Sequence, residues 1–237
     1  MFPLRDSIPS SRAPVVNIVL IASCVAVFIF ELLLGSRLDD FVRAFALIPA
    51  RLFDPAAYGV SLGFNLKSLF LSMFLHGGWL HLIGNMWFLW IFGDNVEDCL
   101  GHGRYLVFYL GCGLLAALGQ AIVAPSSVVP MIGASGAIAG VLGAYLVWFP
   151  WARVKTLLFL FIIFTIVEIP APIFLVLWFV VQFFSGTLSL ASAGAASGGV
   201  AFFAHVGGFV SGAGIAWWLR HSGGVRPCTR NYNAQLE

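Results

Sequence analysis

The sequence predicts an all-α membrane protein with six transmembrane helices and a long interfacial first loop. Only 12 Lys or Arg and 10 Asp or Glu occur among 237 residues, and the mean hydropathy is +0.98. A water-exposed surface needs far more charge than this. Apolar runs of about 20 residues recur along the chain, which at about 1.5 Å per helical residue is enough to cross a bilayer core of about 30 Å.

The first predicted span runs from Val15 to Leu34. Arg5 and Arg12 precede it, as basic residues precede the apolar part of a signal peptide. However, the run is long enough for a full crossing, and no small-residue cleavage site follows it. We therefore expect a retained helix, preceded by a cytoplasmic tail of residues 1–14.

A mixed polar and apolar connection follows, from about 35 to 75, and its composition indicates a segment that lies in the membrane interface. Further apolar segments are visible at 79–98, 104–124, 133–149 and 200–219. Residues 156–186, which contain the IPAP sequence of 169–172, are too long for one straight helix and barely long enough for two spans and a turn. One span there gives six in total, and two give seven.

The distribution of positive charge favours six spans. With six, both chain ends share one side of the membrane, which then holds eight of the twelve basic residues. These eight are Arg5, Arg12, Arg104, Arg153, Lys155, Arg220, Arg226 and Arg230. We therefore predict that both ends are cytoplasmic, that 15–219 form the transmembrane domain and that 220–237 form a cytoplasmic tail. Residues 156–168 become an interfacial segment, and 171–185 become the fifth span.

Six spans also bring polar side chains to one depth, because the second, fourth and sixth helices then all start at the outer face. Their starts carry His81 and Asn85, Ser135, and His205 respectively. Polar groups in hydrocarbon are costly and tend to be paired or functional. A serine alone is common in helix packing, but together Ser135 and His205 predict a dyad in which the imidazole takes the hydroxyl proton. No Asp or Glu lies in the outer half of a neighbouring span, so we expect no carboxylate partner.

Small residues give these helices the means to approach each other. Ser135 is followed by Ala139 and Gly143, and His205 is followed by Gly208 and Gly212. Such stripes permit close helix contact in membranes. Plain packing explains the stripes, but it does not explain why a hydroxyl and a base stand at their heads.

The second helix offers hydrogen-bond donors for an oxyanion. His81 and Asn85 are four residues apart and share one helix face. The backbone N–H of Ser135, which begins a helix and follows Gly133, is a further donor. Taken singly, an Asn in a membrane helix is more often a contact between helices.

Several other classes of site are not supported by the sequence. The net charge of +2 is small and scattered, which argues against nucleic-acid binding. His76, His81 and His205 lack metalloprotease spacing, so we expect neither a metal nor another cofactor. No Cys-x-x-Cys pair occurs, and we expect all the cysteines to be packing residues. They are Cys24, Cys99, Cys112 and Cys228.

Four sequence motifs together resemble the prokaryotic six-span rhomboid intramembrane serine proteases. They are GASGAIAG at 133–140, HxxxN at 81–85, FLHGGWLHLIGNMWFLWIFGDNVED at 74–98 and AHVGGFVSG at 204–212. The resemblance implies Ser135 as nucleophile and His205 as base, with an oxyanion site of His81, Asn85 and the Ser135 amide. Structural support is expected from Gly133, Gly136, Gly208 and Glu97.

The chain departs from the family pattern in two places. Some members carry a tyrosine four residues after the serine, where this chain has Ala139. The Trp-Arg pair of many members is absent upstream of His76, where the chain reads NLKSLFLSMF. The departures affect the expected packing of the first loop and the orientation of His205, and they leave the expected chemistry in place.

The function expected from this resemblance is hydrolysis of a peptide bond in or near a substrate's transmembrane helix, in the cell inner membrane, at a cavity open to the outer face. The partners are transmembrane substrates and the lipid bilayer; the oligomeric state is not predicted. The loop 186–199 is expected to be a mobile cap over the cavity. Alternatives are an inactive rhomboid-like protein, a noncatalytic scaffold that binds membrane helices, and a small-solute transporter. A transporter predicts a repeat between the two halves, which the sequence lacks.

Overall fold

The computed structural model describes residues 2–160, 163–191 and 201–225, and this part of the chain is mostly helical. It contains nine α-helices and three β-strands. The helices are α1 (Val15–Leu33), α2 (Leu38–Phe45), α3 (Pro49–Phe53), α4 (Leu62–Leu71), α5 (Trp79–Leu100), α6 (His102–Val123), α7 (Ser135–Trp148), α8 (Ala171–Ala191) and α9 (Phe202–His221). The strands are β1 (Phe2–Asp6), β2 (Arg153–Leu160) and β3 (Ile163–Pro170).

Three of the described helices, α1, α6 and α9, are long and apolar enough to cross a membrane by length and composition. The other predicted spans fall short for identifiable reasons. α5 has 22 residues but carries Asp94, Glu97 and Asp98 near its end, and α7 has only 14 residues. The apolar part of α8, Ala171–Phe184, is also short. The protein is thus a membrane protein, and the total of six spans stays a prediction.

The glycines of α7 and α9 hold these two helices in close contact. A Cβ atom added to Gly208 would overlap the carbonyl oxygen of Gly136, and one added to Gly212 would overlap the carbonyl oxygen of Gly140. A Cβ atom on Gly143 would likewise overlap a backbone oxygen of α9. Because only hydrogen atoms separate the two backbones at these positions, α7 and α9 pack more closely than larger side chains allow.

Glu97 joins the C-terminal end of α5 to the start of α1. Its carboxylate is 2% exposed and accepts hydrogen bonds from the backbone N–H groups of Val16 (2.9 Å) and Asn17 (2.7 Å). It also contacts Nδ1 of His102 at 2.5 Å. The first N–H groups of a helix have no intrahelical partner, and the positive end of the helix dipole favours an anion. Glu97 therefore has the contacts of a structural residue.

The first connection is a folded layer of the short helices α2 to α4. The guanidinium of Arg51 donates to the carbonyl oxygens of Arg43 (2.8 Å) and Ala46 (2.5 Å). Leu47 and Met131 exchange two backbone hydrogen bonds of 3.1 and 2.7 Å. The backbone pair of Leu47 and Met131 fixes this layer to the segment that leads into α7.

Residues 156–168, predicted as an interfacial or partly inserted segment, fall in the antiparallel strands β2 (Arg153–Leu160) and β3 (Ile163–Pro170). Leu157 of β2 lies opposite Ile166 of β3 and, on the other side, opposite Phe2 of β1. The strand order is therefore β1-β2-β3. The segment is rich in β-branched and aromatic residues, which favour strands. Its apolar composition alone did not distinguish a strand from an interfacial helix.

Strand β1 runs beside α5 and in the same direction. The Ser11 hydroxyl, which follows β1, donates to Asp98 (2.7 Å) at the end of α5, and Asn95 donates to Asp6 (2.8 Å). Further toward the start of α5, the indole N–H of Trp87 donates to the carbonyl of Pro3 (2.6 Å). Part of the predicted N-terminal tail is thus packed against the helical bundle, because its backbone pairs with β2.

Asp6 of β1 gives the fold an expected pH dependence. Burial and, to a smaller extent, the nearby Asp94 raise its pKa to about 7, although the Tyr145 hydroxyl, which donates to it at 2.5 Å, acts in the opposite direction. The folded state therefore binds more protons than the unfolded state between about pH 4 and pH 7, so stability falls as the pH rises through this window. We expect Asp6→Asn, which keeps an oxygen acceptor, to unfold at a higher temperature than wild type at pH 8 and to lose most of this pH dependence.

Thermal unfolding of the purified protein in detergent at pH 5 and pH 8 measures this effect. Asp40→Asn, at an exposed position of α2, is the control and should retain the wild-type pH dependence. An Asp6→Asn protein that loses as much stability as wild type between pH 5 and pH 8 would contradict the expectation.

The cysteines differ from one another in their bonding. Cys24 and Cys112 are buried and free, but Cys99 is disulfide-bonded, so the prediction that all cysteines are packing residues is wrong for Cys99. Disulfide formation depends on proximity in the fold and not on Cys-x-x-Cys spacing. Cys228 lies outside the described residues.

The predicted cap at 186–199 begins as helix, since α8 continues to Ala191, and 192–200 also lie outside the described residues.

Candidate active site

Ser135 and His205 meet where α7 and α9 begin. Ser135 is the first residue of α7, and His205 lies in the first turn of α9. The distance between Oγ of Ser135 and Nε2 of His205 is 2.7 Å, which is a hydrogen bond. His205 is only 7% exposed. The glycine contacts between the two helices bring a hydroxyl and an imidazole together inside an apolar bundle.

The other ring nitrogen of His205 contacts Gln182 of α8. Nδ1 lies 2.7 Å from Oε1 of Gln182. A carbonyl oxygen accepts hydrogen bonds only, so Nδ1 carries the proton and donates it. In the neutral ring Nε2 then has a free lone pair, which faces the hydroxyl of Ser135. This arrangement lets Nε2 accept the Ser135 proton.

Sequence reasoning missed Gln182 because it searched the neighbouring spans for a carboxylate only. A signal was present, since Gln182 is the only Asn, Gln, Asp or Glu between Ala171 and Phe184. A polar side chain in such a run usually has a partner.

A second group of polar side chains surrounds Gly133, just before α7. The φ angle of Gly133 is +119°, and a Cβ atom there would lie 2.6 Å from Nε2 of His81 and 3.6 Å from Nδ2 of Asn85. The N–H of Gly77 donates to Nδ1 of His81 (3.3 Å), which leaves Nε2 as the protonated nitrogen of a neutral ring. Nδ2 of Asn85 is buried and has no hydrogen-bond partner among the described residues. Two N–H donors thus lie beside Gly133, two residues before Ser135.

His76 lies behind His81 as a neutral supporting ring. The two ring centroids are 5.1 Å apart, and the backbone N–H of His76 donates to the Glu31 carboxylate at 3.2 Å. Burial and, to a smaller extent, the nearby His81 lower the pKa of His76 to about 4. Within the described part of the chain, no three His, Cys, Asp or Glu side chains are grouped so that they could hold a metal ion.

A small cavity of about 40 Å³ borders Ser135. Its walls include Met73, Ala116, Met131 and Gly136. A single water needs at least about 10 to 15 Å³ on such a measure, so the cavity admits only a few atoms beside the hydroxyl.

The comparison with protein families identifies the chain. The model of the Rhomboid domain family matches residues 64–222, which is more than half of the sequence. The chain belongs to the rhomboid family. All the residues of the candidate site lie inside the matched region.

Rhomboid relatives come from bacteria and from mitochondria. The putative rhomboid protease YdcA of Bacillus subtilis is 37% identical over 33% of this chain and 39% of its own length. Rhomboid protease GluP of the same organism is 43% identical over 30% of this chain and 14% of its own length. Rhomboid protein 1, mitochondrial, of Saccharomyces cerevisiae is 32% identical over 62% of this chain and 40% of its own length. The chain thus spans less than half the length of each relative.

This rhomboid has Ala139 four residues after Ser135, where some family members have a tyrosine packed on the base. An aromatic contact to His205 comes from α8, because the Trp178 ring centroid lies 5.9 Å from that of His205. The small Ala139 side chain lies near Gly208, where a Cβ atom added to Gly208 would be 3.3 Å away. An aromatic contact to the ring of His205 from a neighbouring helix is therefore supplied by α8.

Proposed function

We propose that this rhomboid is an intramembrane serine endopeptidase that hydrolyses peptide bonds in or near the transmembrane helices of its substrates. Ser135 is the nucleophile and His205 is the base. The observation that carries the proposal is the 2.7 Å hydrogen bond from Ser135 Oγ to Nε2 of a ring whose Nδ1 is already bonded. The Bacillus relatives YdcA and GluP are named as rhomboid proteases, which supports the same reaction class.

The proposed reaction has two stages. Nε2 of His205 takes the proton of Ser135 as Oγ attacks the carbonyl carbon, and the tetrahedral intermediate collapses with cleavage of the C–N bond. The protonated Nε2 gives its proton to the leaving amine, which leaves an ester on Ser135. A water then attacks the ester with His205 again as base, and the acid product and free Ser135 are formed.

The negative oxygen of the intermediate needs donors that are already in place. We assign this role to Nε2–H of His81, Nδ2–H of Asn85 and the backbone N–H of Ser135. Asn85 is 8% exposed, and its amide nitrogen is unpaired among the described residues, so the donor is desolvated before a substrate binds. Such donors act most strongly on charge that develops in the transition state.

We expect Asn85→Ala to lower kcat by about 10²- to 10³-fold, because one donor to the oxyanion is lost. Initial rates of substrate cleavage measure this effect. The matched control is Gly84→Ala on the same helix, where an added Cβ atom meets nothing within 4 Å. An Asn85→Ala protein with wild-type kcat would remove Asn85 from the oxyanion site.

The cleavage site in a substrate should contain small residues. The cavity beside Ser135 is about 40 Å³, and Gly113, Ala116 and Gly136 are among its walls, so a large side chain does not fit. A helical peptide also keeps its carbonyl groups in hydrogen bonds, so it must unwind before attack, which small and helix-weakening residues make easier.

We place the protein in the inner membrane with α1, α5, α6, α7, α8 and α9 as the six spans. The tails 1–14 and 220–237 lie on the cytoplasmic side, with 15–219 as the transmembrane domain between them. The site then opens toward the outer face. The segment 186–199 is assigned the role of a cap over the site, and a crosslink from it to the first connection should slow cleavage.

The test is cleavage of labelled single-span substrates by purified protein in liposomes, with wild type beside Ser135→Ala. A fluorophosphonate probe, which reacts with activated serines, is applied to the same samples. We expect wild type to cleave and to be labelled, and Ser135→Ala to do neither. Absence of both in wild type would favour a scaffold or transporter, and cleavage by Ser135→Ala would exclude Ser135 as the nucleophile.

A further inference from the structure

We propose that Gln182 is the positioning residue of His205, which makes the site a Ser-His-Gln arrangement in place of a dyad. The expected effect on catalysis rests on the proposed function, whereas the hydrogen bond between Gln182 and His205 and the tautomer of His205 do not. The side-chain oxygen of Gln182 accepts a hydrogen bond from Nδ1–H of His205 and so keeps the imidazole proton on Nδ1. Nε2 is then free to accept the proton of Ser135.

The contacts of His205 leave this role to Gln182. Oε1 of Gln182, at 2.7 Å, is the one hydrogen-bond partner that the described residues give Nδ1. The neighbouring rings of Trp178 and Phe202 have centroids 5.9 and 6.4 Å from the imidazole and offer packing without an acceptor for Nδ1–H. Without Gln182, Nδ1–H would lose its partner in a buried place, and the other tautomer, with the proton on Nε2, would compete. That tautomer cannot accept a proton from Ser135.

Gln182 is held in place by the packing of α8 on α9. Trp178 lies one turn before Gln182, and its ring contacts both His205 and Phe209, with centroids 5.9 and 6.2 Å apart. Phe179 packs on the same Phe209 at 4.9 Å. Residues four apart on a helix share a face, so the aromatic contact and the amide contact to His205 come from one side of α8.

A neutral amide suits this location better than a carboxylate. An ionised side chain inside a span costs several kcal/mol unless it is paired. An amide oxygen orients the ring through the same hydrogen bond without bringing a charge into the apolar bundle. An amide stabilises the imidazolium that forms in the transition state less than a carboxylate does. Replacement of the amide by the isosteric carboxylate measures this difference.

Two variants separate these effects. Gln182→Met has a similar length but no oxygen, and we expect kcat to fall about 10- to 100-fold with little change in KM, as is common when a partner that orients a histidine is removed. Gln182→Glu keeps the acceptor and should retain kcat within a few-fold. Val181→Met is the matched control, because Val181 is on the same helix and its side chain is exposed. Its kcat should equal that of wild type.

The pH–rate profile adds a readout that a packing role would not change. The carboxylate of Gln182→Glu stabilises the imidazolium of His205, so the acid limb of kcat/KM should move to higher pH. Among the described residues, His81 is the titratable side chain that interacts electrostatically with His205, and it is unchanged in Gln182→Glu. An acid limb at the wild-type position in Gln182→Glu would overturn the inference.

Nitrogen NMR of protein with 15N-labelled histidine tests the structural part without any catalysis. The signal of His205 is identified by its absence in His205→Ala. We expect wild type to carry the proton on Nδ1 and Gln182→Met to show a mixture of tautomers. A wild-type signal with the proton on Nε2, or no change in Gln182→Met, would overturn the inference. If instead wild type neither cleaves nor labels but has the expected tautomer, the proposed function fails and the Gln182 contact stands.

Discussion

Replacement of Ser135 or His205 by alanine is expected to reduce cleavage by at least about 10³-fold, and the double variant should be no slower than either single variant. The two side chains share one proton through the 2.7 Å contact between Oγ and Nε2. Without the base the hydroxyl is a poor nucleophile, and without the hydroxyl the base has nothing to activate. Residues that act as a unit give losses that do not add.

The measurement is kcat/KM for wild type, both single variants and the double variant in the same liposomes. His221→Ala is the matched control for the histidine, because His221 is exposed in the last turn of α9, far along the helix from His205. It should cleave like wild type. A double variant whose loss equals the product of the two single losses would mean that Ser135 and His205 act independently.

The second large effect is expected on stability, from Gly212→Ala. A Cβ atom at Gly212 would overlap the backbone of Gly140, which is part of α7 and cannot move aside as a side chain can. Overpacking a core costs about 1 to 3 kcal/mol, and a backbone overlap should lie at the upper end or beyond. We expect a clear loss of folded protein and of cleavage together, because the overlap separates the helices that carry Ser135 and His205.

Thermal unfolding in detergent measures this loss. Gly214→Ala is the matched control on the same helix, since an added Cβ atom there meets nothing within 4 Å. Alanine is the better helix former, so this control should be as stable as wild type or slightly more stable. Equal stability of the Gly212→Ala and Gly214→Ala proteins would show that α7 and α9 can separate slightly at no cost.

The family and the mostly helical fold could be predicted from the sequence because they depend on local patterns. Long apolar runs, small-residue stripes and the motifs around Ser135 and His205 are all visible in single segments. The structure brings Ser135 and His205 together where the stripes of α7 and α9 meet. Their catalytic roles, like those of His81 and Asn85, stay predictions until the variants are measured.

The rest depended on contacts between distant segments. Gln182 contacts His205 only because α8 packs on α9, and periodicity does not show which face of an apolar helix meets which neighbour. Cys99 was misjudged for a similar reason, since cysteine spacing does not report distance in the fold. Residues 156–168 were expected to be an interfacial segment, and the strands β2 and β3 were not predicted, because a short apolar run is compatible with either a strand or a helix.

The pairing of β1 with β2 sets an order for biosynthesis. Phe2 lies opposite Leu157, so β1 has no strand partner until more than 150 further residues have been made. Contacts between such distant segments form late, because the loop-closure entropy must be met first. The sheet can therefore close only after α7, with Ser135 at its head, has been synthesised. Strand β1 thus joins β2 only after the helices α1 to α7 have been made, while α8 and α9 still follow in the chain.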